Sequence, residues 1–228
     1  MGGDGAPGAP RGGAGTGIFG GTFDPFHYGH LVVAQDVLEA LELDRILFMP
    51  VGDPPHKGRN GGEGASHRAP PELRFRMVSA SVAGDPRFHV SDLELRRPGP
   101  SYTVDTLREL TRPSGSEPAE VGGGFTLLMG ADQWASFHRW KEPAEILRLA
   151  RVAVMTREGD GISDVSPELE HGLATETASS GGKPLGVPVT RIDLSSTGIR
   201  ERWAQRRSIR YLVPEPVRRI IETESLYR

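Results

Sequence analysis

The chain has 228 residues, of which 36% are hydrophobic and 25% are charged, and its formal net charge is −3. The slightly acidic balance argues against a general nucleic-acid binder or a basic membrane-surface protein, and no apolar run approaches the roughly 20 residues of a membrane span, so we expect a soluble globular protein with a buried core. The sequence has no cysteine and no apolar signal segment, which excludes disulfides and thiolate metal sites and favours a cytoplasmic protein.

The start of the chain differs in composition from the rest. Residues 2–15 are mostly glycine, alanine and proline, which bury little apolar surface, so we predict a disordered tail over residues 1–15. Residues 16–228 are predicted to form a single domain. Glycine- and proline-rich stretches within it predict loops or insertions at residues 58–66, 113–124 and 157–188.

Strands and helices are predicted to alternate along the domain. Short apolar or alternating runs predict strands at residues 17–20, 45–50, 87–95, 125–130, 151–156 and 188–194. Helical spacing of apolar residues, together with end signals, predicts helices at residues 31–43, 70–84, 101–112, 142–150, 195–206 and 215–224. Such alternation favours a doubly wound, mostly parallel α/β sheet, in which ligands bind at the carboxyl ends of the strands.

The segment GIFGGTFDPFHYGH, residues 17–30, joins the first predicted strand to the first predicted helix. Gly20 and Gly21 allow a sharp turn and a close approach of the backbone to a ligand. The unpaired amides and the dipole of the helix that follows favour an anion, and His27 and His30 can donate hydrogen bonds to phosphate oxygens and gain charge if protonated. The segment therefore predicts a phosphate site, and its Asp24 is better explained by turn capping than by a metal or ribose contact.

A second anion site is predicted in SSTGIR, residues 195–200. Ser195, Ser196 and Thr197 offer hydroxyl groups at a helix N-terminus, and Arg200 lies one turn further on, where its guanidinium can reach the same side. Both segments follow strands, so we expect them at the same edge of the sheet. For either segment alone, a plain turn or a plain helix cap explains the residues well.

The two segments together resemble the His-x-Gly-His and Ser/Thr-x-x-Arg signatures of the nucleotidyltransferase superfamily. The wider pattern is similar to bacterial nicotinate-nucleotide adenylyltransferases, over roughly residues 16–228. The further matching segments are MPVGDPPHK (49–57), GPSYTVDTL (99–107), MGADQW (129–134), FHRW (137–140) and SLYR (225–228). The resemblance implies a Rossmann-like nucleotidyltransferase fold and a reaction of ATP and nicotinate mononucleotide, with Mg²⁺, that gives deamido-NAD and pyrophosphate.

The resemblance also implies roles for individual residues. It implies that the catalytic residues are His27, His30 and Arg200. It implies that ATP is contacted by Gly20, Gly21, Thr22, Phe23, Asp132, Arg157, Ser195, Ser196 and Thr197. It implies that the mononucleotide is contacted by His56, Lys57, Thr103, Trp140 and Lys141. It assigns no protein side chain to the metal, and Asp132 is equally well explained as a helix cap.

Three alternatives remain open at this point. A pantetheine-phosphate adenylyltransferase shares the histidine motif, but such chains are shorter and lack the PSYT and SLYR segments. A class I aminoacyl-tRNA synthetase has a similar motif, but this chain is too short and has no Lys-Met-Ser-Lys-Ser loop. A nucleotide-sensing module would bind ATP without turnover, although such a module could dispense with His27, His30 and Arg200. We expect no nucleic-acid or membrane partner, and the sequence leaves the oligomeric state open.

Overall fold

The computed structural model describes residues 15–52, 68–112, 124–157 and 184–228. The predicted tail, apart from Gly15, and most of the three predicted loops lie outside these residues. The strands are β1 (Thr16–Gly21), β2 (Arg45–Pro50), β3 (Phe88–Val90), β4 (Phe125–Gly130), β5 (Arg151–Arg157) and β6 (Leu185–Val189). The helices are α1 (Tyr28–Ala40), α2 (Pro71–Val82), α3 (Leu93–Arg96), α4 (Thr103–Leu110), α5 (Ala131–Ala135), α6 (Pro143–Leu149), α7 (Ser196–Ala204) and α8 (Glu215–Thr223), with a 3₁₀ helix at Phe137–Arg139.

The six strands form one sheet in the order β3-β2-β1-β4-β5-β6, and every neighbouring pair is parallel. The strand order reverses between β1 and β4, because the chain first builds β2 and β3 on one side of β1 and then returns to the other side. In such sheets the crevice at this reversal, beyond the carboxyl ends of the strands, is the usual ligand site. The predicted doubly wound parallel fold is confirmed.

The alternating side chains of the central strands supply two separate cores. In β1, Phe19 packs into one cluster with side chains of α1, α2, α7 and α8, whereas Ile18 packs into another with side chains of α4, α5 and α6. In β4, Leu128 and Leu127 divide in the same way. This two-residue period covers both faces of the sheet with helices, as expected for a parallel sheet that is buried on both sides.

The third strand is shorter than its sequence predicts. Alternation predicts a strand over 87–95, but β3 ends at Val90 and α3 follows. The Ser91 hydroxyl accepts the Leu93 N–H at 3.2 Å, and the Asp92 carbonyl accepts the N–H of Leu95 at 2.9 Å. These local bonds start a helical turn, which short polar side chains favour over a strand.

The last strand is displaced from its predicted position at 188–194. β6 spans Leu185–Val189, so it begins inside a predicted loop, and Pro188 is tolerated because β6 lies at the edge of the sheet. The strand ends where the N–H of Thr190 donates to Asp36 Oδ2 of α1 at 2.6 Å instead of to a neighbouring strand. The wrong prediction thus traces to a partner 154 residues away.

Candidate active site

The loop between β1 and α1 leads into the two histidines, and its buried aromatic rings pack beneath them. Phe23 adopts a left-handed backbone conformation with φ of +50° and is 2% exposed. Its ring meets the rings of Phe26 and His30 edge-to-face, with centroid distances of 5.5 and 5.0 Å. A Cβ on Gly21 would lie 2.7 Å from the Phe23 ring, so glycine is required there. The Phe23 side chain belongs to the core, so the contact with ATP that the resemblance implies for Phe23 remains a prediction for its backbone.

The two histidines form a stacked pair at the start of α1. Their ring centroids are 3.7 Å apart, and the backbone N–H of His27 donates to Nδ1 of His30 at 3.2 Å. A neutral His30 whose Nδ1 accepts this bond carries its proton on Nε2, where it is a hydrogen-bond donor. A Cβ on Gly29 would lie 3.0 Å from Cε1 and Nδ1 of His27, so glycine leaves room for the stacked ring.

Burial keeps both imidazoles neutral. It lowers the pKa of His27 from 6.5 to about 4. For His30, burial lowers the pKa well below 6.5, and the neighbouring His27 lowers it further. The protonated rings considered from sequence are therefore disfavoured, and the pair offers N–H donors rather than fixed positive charge.

The N-terminus of α7 is bonded directly to the loop between β1 and α1. Ser196 Oγ donates to the carbonyl of Pro25 at 2.9 Å, and Arg200 Nη1 donates to the carbonyl of Asp24 at 2.6 Å. Ser195 Oγ caps the helix by accepting the N–H of Gly198 at 3.1 Å. The structure thus brings the two predicted anion sites together at one edge of the sheet. Arg200 also donates to Thr197 Oγ1 at 3.3 Å.

The carboxyl ends of β1 and β2 are joined by a residue that the sequence did not single out. Arg74 of α2 is 3% exposed and donates to the carbonyls of Thr22 and Val51 at 2.7 and 2.8 Å. It also donates to the carbonyls of Ala69 and Gly52, each at 3.2 Å. In sequence, Arg74 is one arginine of an amphipathic helix, and nothing in its spacing distinguishes it from Arg76. Its role depends on loops that meet only in the folded chain.

A cavity of about 260 Å³ opens beside Gly20, Gly21 and Thr22, toward β4, α4 and the segment before α6. Thr103, Trp140 and Lys141, which the sequence assigned to the mononucleotide, all line it. Lys141 Nζ donates to Asp105 Oδ2 at 2.9 Å and lies 4.8 Å from the centre of the Tyr102 ring. The volume of the cavity and its aromatic and polar lining suit one heterocyclic ring with a polar substituent.

The ring of Trp140 is the last of three aromatic rings that pack in a row. The ring of Phe137 stacks on Trp134 with a centroid distance of 5.0 Å, and its other neighbour is Trp140 at 5.5 Å. Trp134 is 3% exposed and belongs to the core, whereas Trp140 is only partly buried and reaches the cavity.

The same cavity contains a buried carboxyl group that sequence reasoning missed. Glu94 of α3 is 6% exposed, and its Oε1 accepts the hydroxyl proton of Thr106 at 2.7 Å. Its main-chain carbonyl accepts Ser101 Oγ at 3.2 Å. Burial raises the pKa of Glu94 above its ordinary value of 4.5, against the opposing hydrogen bond from Thr106. The residue was missed because its segment was predicted to be a strand.

Known proteins are similar to this chain in sequence. The Cytidylyltransferase-like family model matches residues 18–202. Among relatives named nicotinate-nucleotide adenylyltransferase, that of Roseiflexus sp. (strain RS-1) is 42% identical over 217 residues, which cover 93% of this chain and 97% of the relative. The relative from Rubrobacter xylanophilus is 41% identical over 214 residues, which cover 93% of this chain and 92% of the relative. The chain belongs to the nicotinate-nucleotide adenylyltransferase family. The family resemblance drawn from the sequence is thereby confirmed.

Solved structures of more distant proteins share the fold of this adenylyltransferase family member. A Plasmodium falciparum nicotinic acid mononucleotide adenylyltransferase complexed with NaAD is 15% identical, with a TM-score of 0.67 and coverage of 93% of this chain and 96% of that one. The same Plasmodium enzyme complexed with APC gives a TM-score of 0.65. At this identity the likeness supports the Rossmann-like fold and not the roles of individual residues.

The remaining predicted site residues of this adenylyltransferase family member divide into two groups. Asp132 is exposed in the first turn of α5, directly after β4, and its neighbour Gln133 lines the cavity. Arg157 is the last residue of β5, but its side chain lies outside the description, as do His56 and Lys57 entirely. The roles implied for these three residues therefore remain predictions.

Within residues 15–52, 68–112, 124–157 and 184–228, no group of three histidine, aspartate or glutamate side chains could hold a metal ion. In the same part of the chain, no helix is both long and apolar enough to cross a membrane.

Proposed function

We propose that this protein transfers the adenylyl group of ATP to nicotinate mononucleotide, giving deamido-NAD and pyrophosphate. The observation that carries the proposal is the contact between the loop that leads into the His27–His30 pair and the N-terminus of α7, beside a cavity that suits a pyridine ring. The names of relatives at 42% and 41% identity support the choice of acceptor.

The reaction requires one bond to form and one to break. A phosphate oxygen of the mononucleotide attacks the α-phosphorus of ATP, and the bond from that phosphorus to the bridging oxygen of the β-phosphate breaks, so pyrophosphate leaves with the bonding electron pair. No covalent enzyme intermediate is needed. The protein contributes by positioning the two phosphates and stabilising the charge that develops between them.

We assign the α-phosphate of ATP to the histidine pair. Neutral His27 and His30 donate hydrogen bonds to its oxygens, and the first amides of α1 add partial positive charge at the same place. Gly20, Gly21 and Thr22 contribute backbone at the end of β1. Because these donors are fixed before ATP binds, they stabilise the transition state without reorganisation.

We assign the leaving pyrophosphate to Arg200 and the start of α7. The guanidinium offers several N–H donors and a permanent charge, and it bonds to the hydroxyl of Thr197. Ser195 caps the same helix through its own hydroxyl. Ser196 supports this arrangement through its bond to Pro25. ATP enters as its magnesium complex, since Mg²⁺ commonly binds through substrate phosphates and water with few protein ligands. Asp132 and Arg157 are assigned to the ATP side.

The mononucleotide is assigned to the cavity. The ring of Trp140 stacks on the pyridine, and backbone amides near Thr103 and after Trp140 bind its carboxylate. Lys141 adds positive charge at the rim of the cavity, where its ammonium group also hydrogen-bonds to Asp105. His56 and Lys57 are assigned to the mononucleotide phosphate on the family resemblance.

The experiment is pyrophosphate release by the wild-type protein and by His30→Ala. Release should require both ATP and nicotinate mononucleotide, and the substitution should lower kcat by roughly 10²–10³, the usual loss for one preorganised donor. The Kd of the mononucleotide, measured by calorimetry, should not change, because the cavity is separate from the histidine pair. Normal turnover of His30→Ala, or release that needs no mononucleotide, would contradict the proposal.

A further inference from the structure

The SLYR segment, residues 225–228, is the one family-like segment to which the proposed chemistry gives no role. Its Tyr227 is 7% exposed and packs in the core cluster that also contains Ile199 of α7 and Ile221 of α8. A phenylalanine could fill this apolar site, so packing alone does not explain a hydroxyl group there. Buried tyrosine hydroxyls ordinarily have a hydrogen-bond partner, and the identity of that partner indicates what the group does.

The partner is Asp24, in the loop between β1 and α1. Tyr227 Oη donates to Asp24 Oδ1 at 2.6 Å, and the N–H of Ala69 donates to the same oxygen at 3.1 Å. Asp24 is 3% exposed. Burial, and then the Asp24 charge, raise the pKa of Tyr227, so its hydroxyl stays protonated and remains a donor at any ordinary pH.

Asp24 also contacts Arg200, through two different groups. Its main-chain carbonyl accepts Arg200 Nη1 at 2.6 Å, whereas its second carboxyl oxygen, Oδ2, stays 3.9 Å from the same nitrogen. The two donors on Oδ1 therefore keep the carboxyl group turned so that it does not hydrogen-bond to the guanidinium. Without them, a rotation of the carboxyl would bring Oδ2 onto Arg200.

A second contact ties the same segment to α7. Trp203 Nε1 donates to the carbonyl of Leu226 at 3.0 Å, and Trp203 lies one helical turn beyond Arg200. The N–H of Leu226 in turn donates to the carbonyl of Ile221 at 3.0 Å. Residues 226 and 227 thus contact both α7 and the Asp24 loop, which are the two parts that position Arg200.

We propose that Tyr227 is a positioning residue for Arg200, because it holds the Asp24 carboxyl away from the guanidinium and leaves that charge available to the phosphates of ATP. The inference rests on the proposed function, since it assigns Arg200 to ATP. When the hydroxyl is removed, Asp24 Oδ2 moves from 3.9 Å to hydrogen-bonding distance of Arg200 Nη1 and competes with the phosphate chain. The affinity for ATP then falls, and the affinity for the mononucleotide does not change.

The test is Tyr227→Phe, with Tyr211→Phe as its matched control. Both tyrosines have a left-handed backbone, with φ of 59° and 69°, but Tyr211 is 82% exposed and lies outside the proposed site. Tyr227→Phe should raise the KM for ATP roughly threefold to tenfold, about the effect of one hydrogen bond, and leave the KM for nicotinate mononucleotide unchanged. Tyr211→Phe should match the wild type. An unchanged KM for ATP, or an equal rise in both KM values, would overturn the inference.

A double-mutant cycle separates positioning from general stability. In an Arg200→Ala background, Tyr227→Phe should cause no further rise in the KM for ATP, because the group it protects is gone. A further rise equal to that seen with Arg200 present would mean that Tyr227 acts without Arg200. The Kd of ATP for each variant, measured by calorimetry without the mononucleotide, should follow the same pattern even if the acceptor in the proposed function is wrong.

Discussion

Burial decides the protonation of the two motif histidines, and this has a consequence for the stability of the fold. The unfolded chain binds a proton at each histidine near pH 6.5, whereas folded His27 binds one only near pH 4. Below pH 6.5 the unfolded state therefore binds more protons than the folded state. The free energy of unfolding falls as the pH drops through this window.

We predict that His27 alone contributes a loss of about 3 kcal/mol in the free energy of unfolding as the pH falls from about 6.5 to 4. Urea unfolding at a series of pH values measures this slope. His27→Gln should flatten it, because glutamine does not titrate. Equal slopes for the wild type and His27→Gln would contradict the burial argument.

Arg74 gives a second prediction at the residue scale. An ammonium group has three donors on one atom and does not span the four carbonyls that the guanidinium reaches, so Arg74→Lys leaves buried carbonyls unpaired. The free energy of unfolding should fall by about 2–4 kcal/mol. Arg76→Lys is the control, since Arg76 lies on the same helix with a side chain that is 57% exposed. Equal stability of the two variants would refute the role given to Arg74.

At the scale of elements, α5, the 3₁₀ helix and the segment before α6 act together to present one aromatic ring. Trp134 and Phe137 pack against each other in the core, and Trp140 packs against Phe137 and lines the cavity. An aromatic ring supported on one side by the core has little freedom to move. This is the arrangement that a stacking platform for a heterocycle needs.

Trp140→Ala should therefore raise the KM for nicotinate mononucleotide by roughly 5- to 30-fold, which corresponds to about 1–2 kcal/mol of stacking energy. Steady-state kinetics with each substrate varied in turn is the measurement. The KM for ATP should stay within about twofold of the wild type, and Trp140→Phe should recover most of the loss. A change confined to ATP would place Trp140 in the wrong half of the site.

At the scale of the whole molecule, the sequence predicted those features of the site that depend only on residues close together in the chain. The glycines and histidines of residues 17–30 and the hydroxyls of 195–197 predicted two anion sites, because turns and helix ends are local features. Strand alternation then predicted the edge at which they meet. The sheet order itself was outside the reach of a sequence pattern.

What the sequence missed depends on contacts between distant segments. Arg74 looks ordinary in sequence, and the SLYR segment gives no role to Tyr227, since the partners of both residues come from the loops after β1 and β2 and lie up to 203 residues away. The histidine pKa values depend on how deeply the folded chain buries the two imidazoles, which a sequence pattern does not give. The short α3 and α5 have too few residues for a periodic pattern to identify them.

The central claim, adenylyl transfer to a nicotinate nucleotide, is tested most directly by comparing the acid and amide mononucleotides. A carboxylate only accepts hydrogen bonds, whereas a carboxamide brings an NH₂ donor that would face the backbone amides near Thr103. A site built to hydrogen-bond one group lowers kcat/KM for a substrate with the other group by up to about 10⁴–10⁵-fold in the strongest cases. We measure kcat/KM by pyrophosphate release with each mononucleotide at equal ATP and Mg²⁺. A preference for the acid of at least roughly tenfold is predicted, and equal efficiency or a preference for the amide would contradict the account.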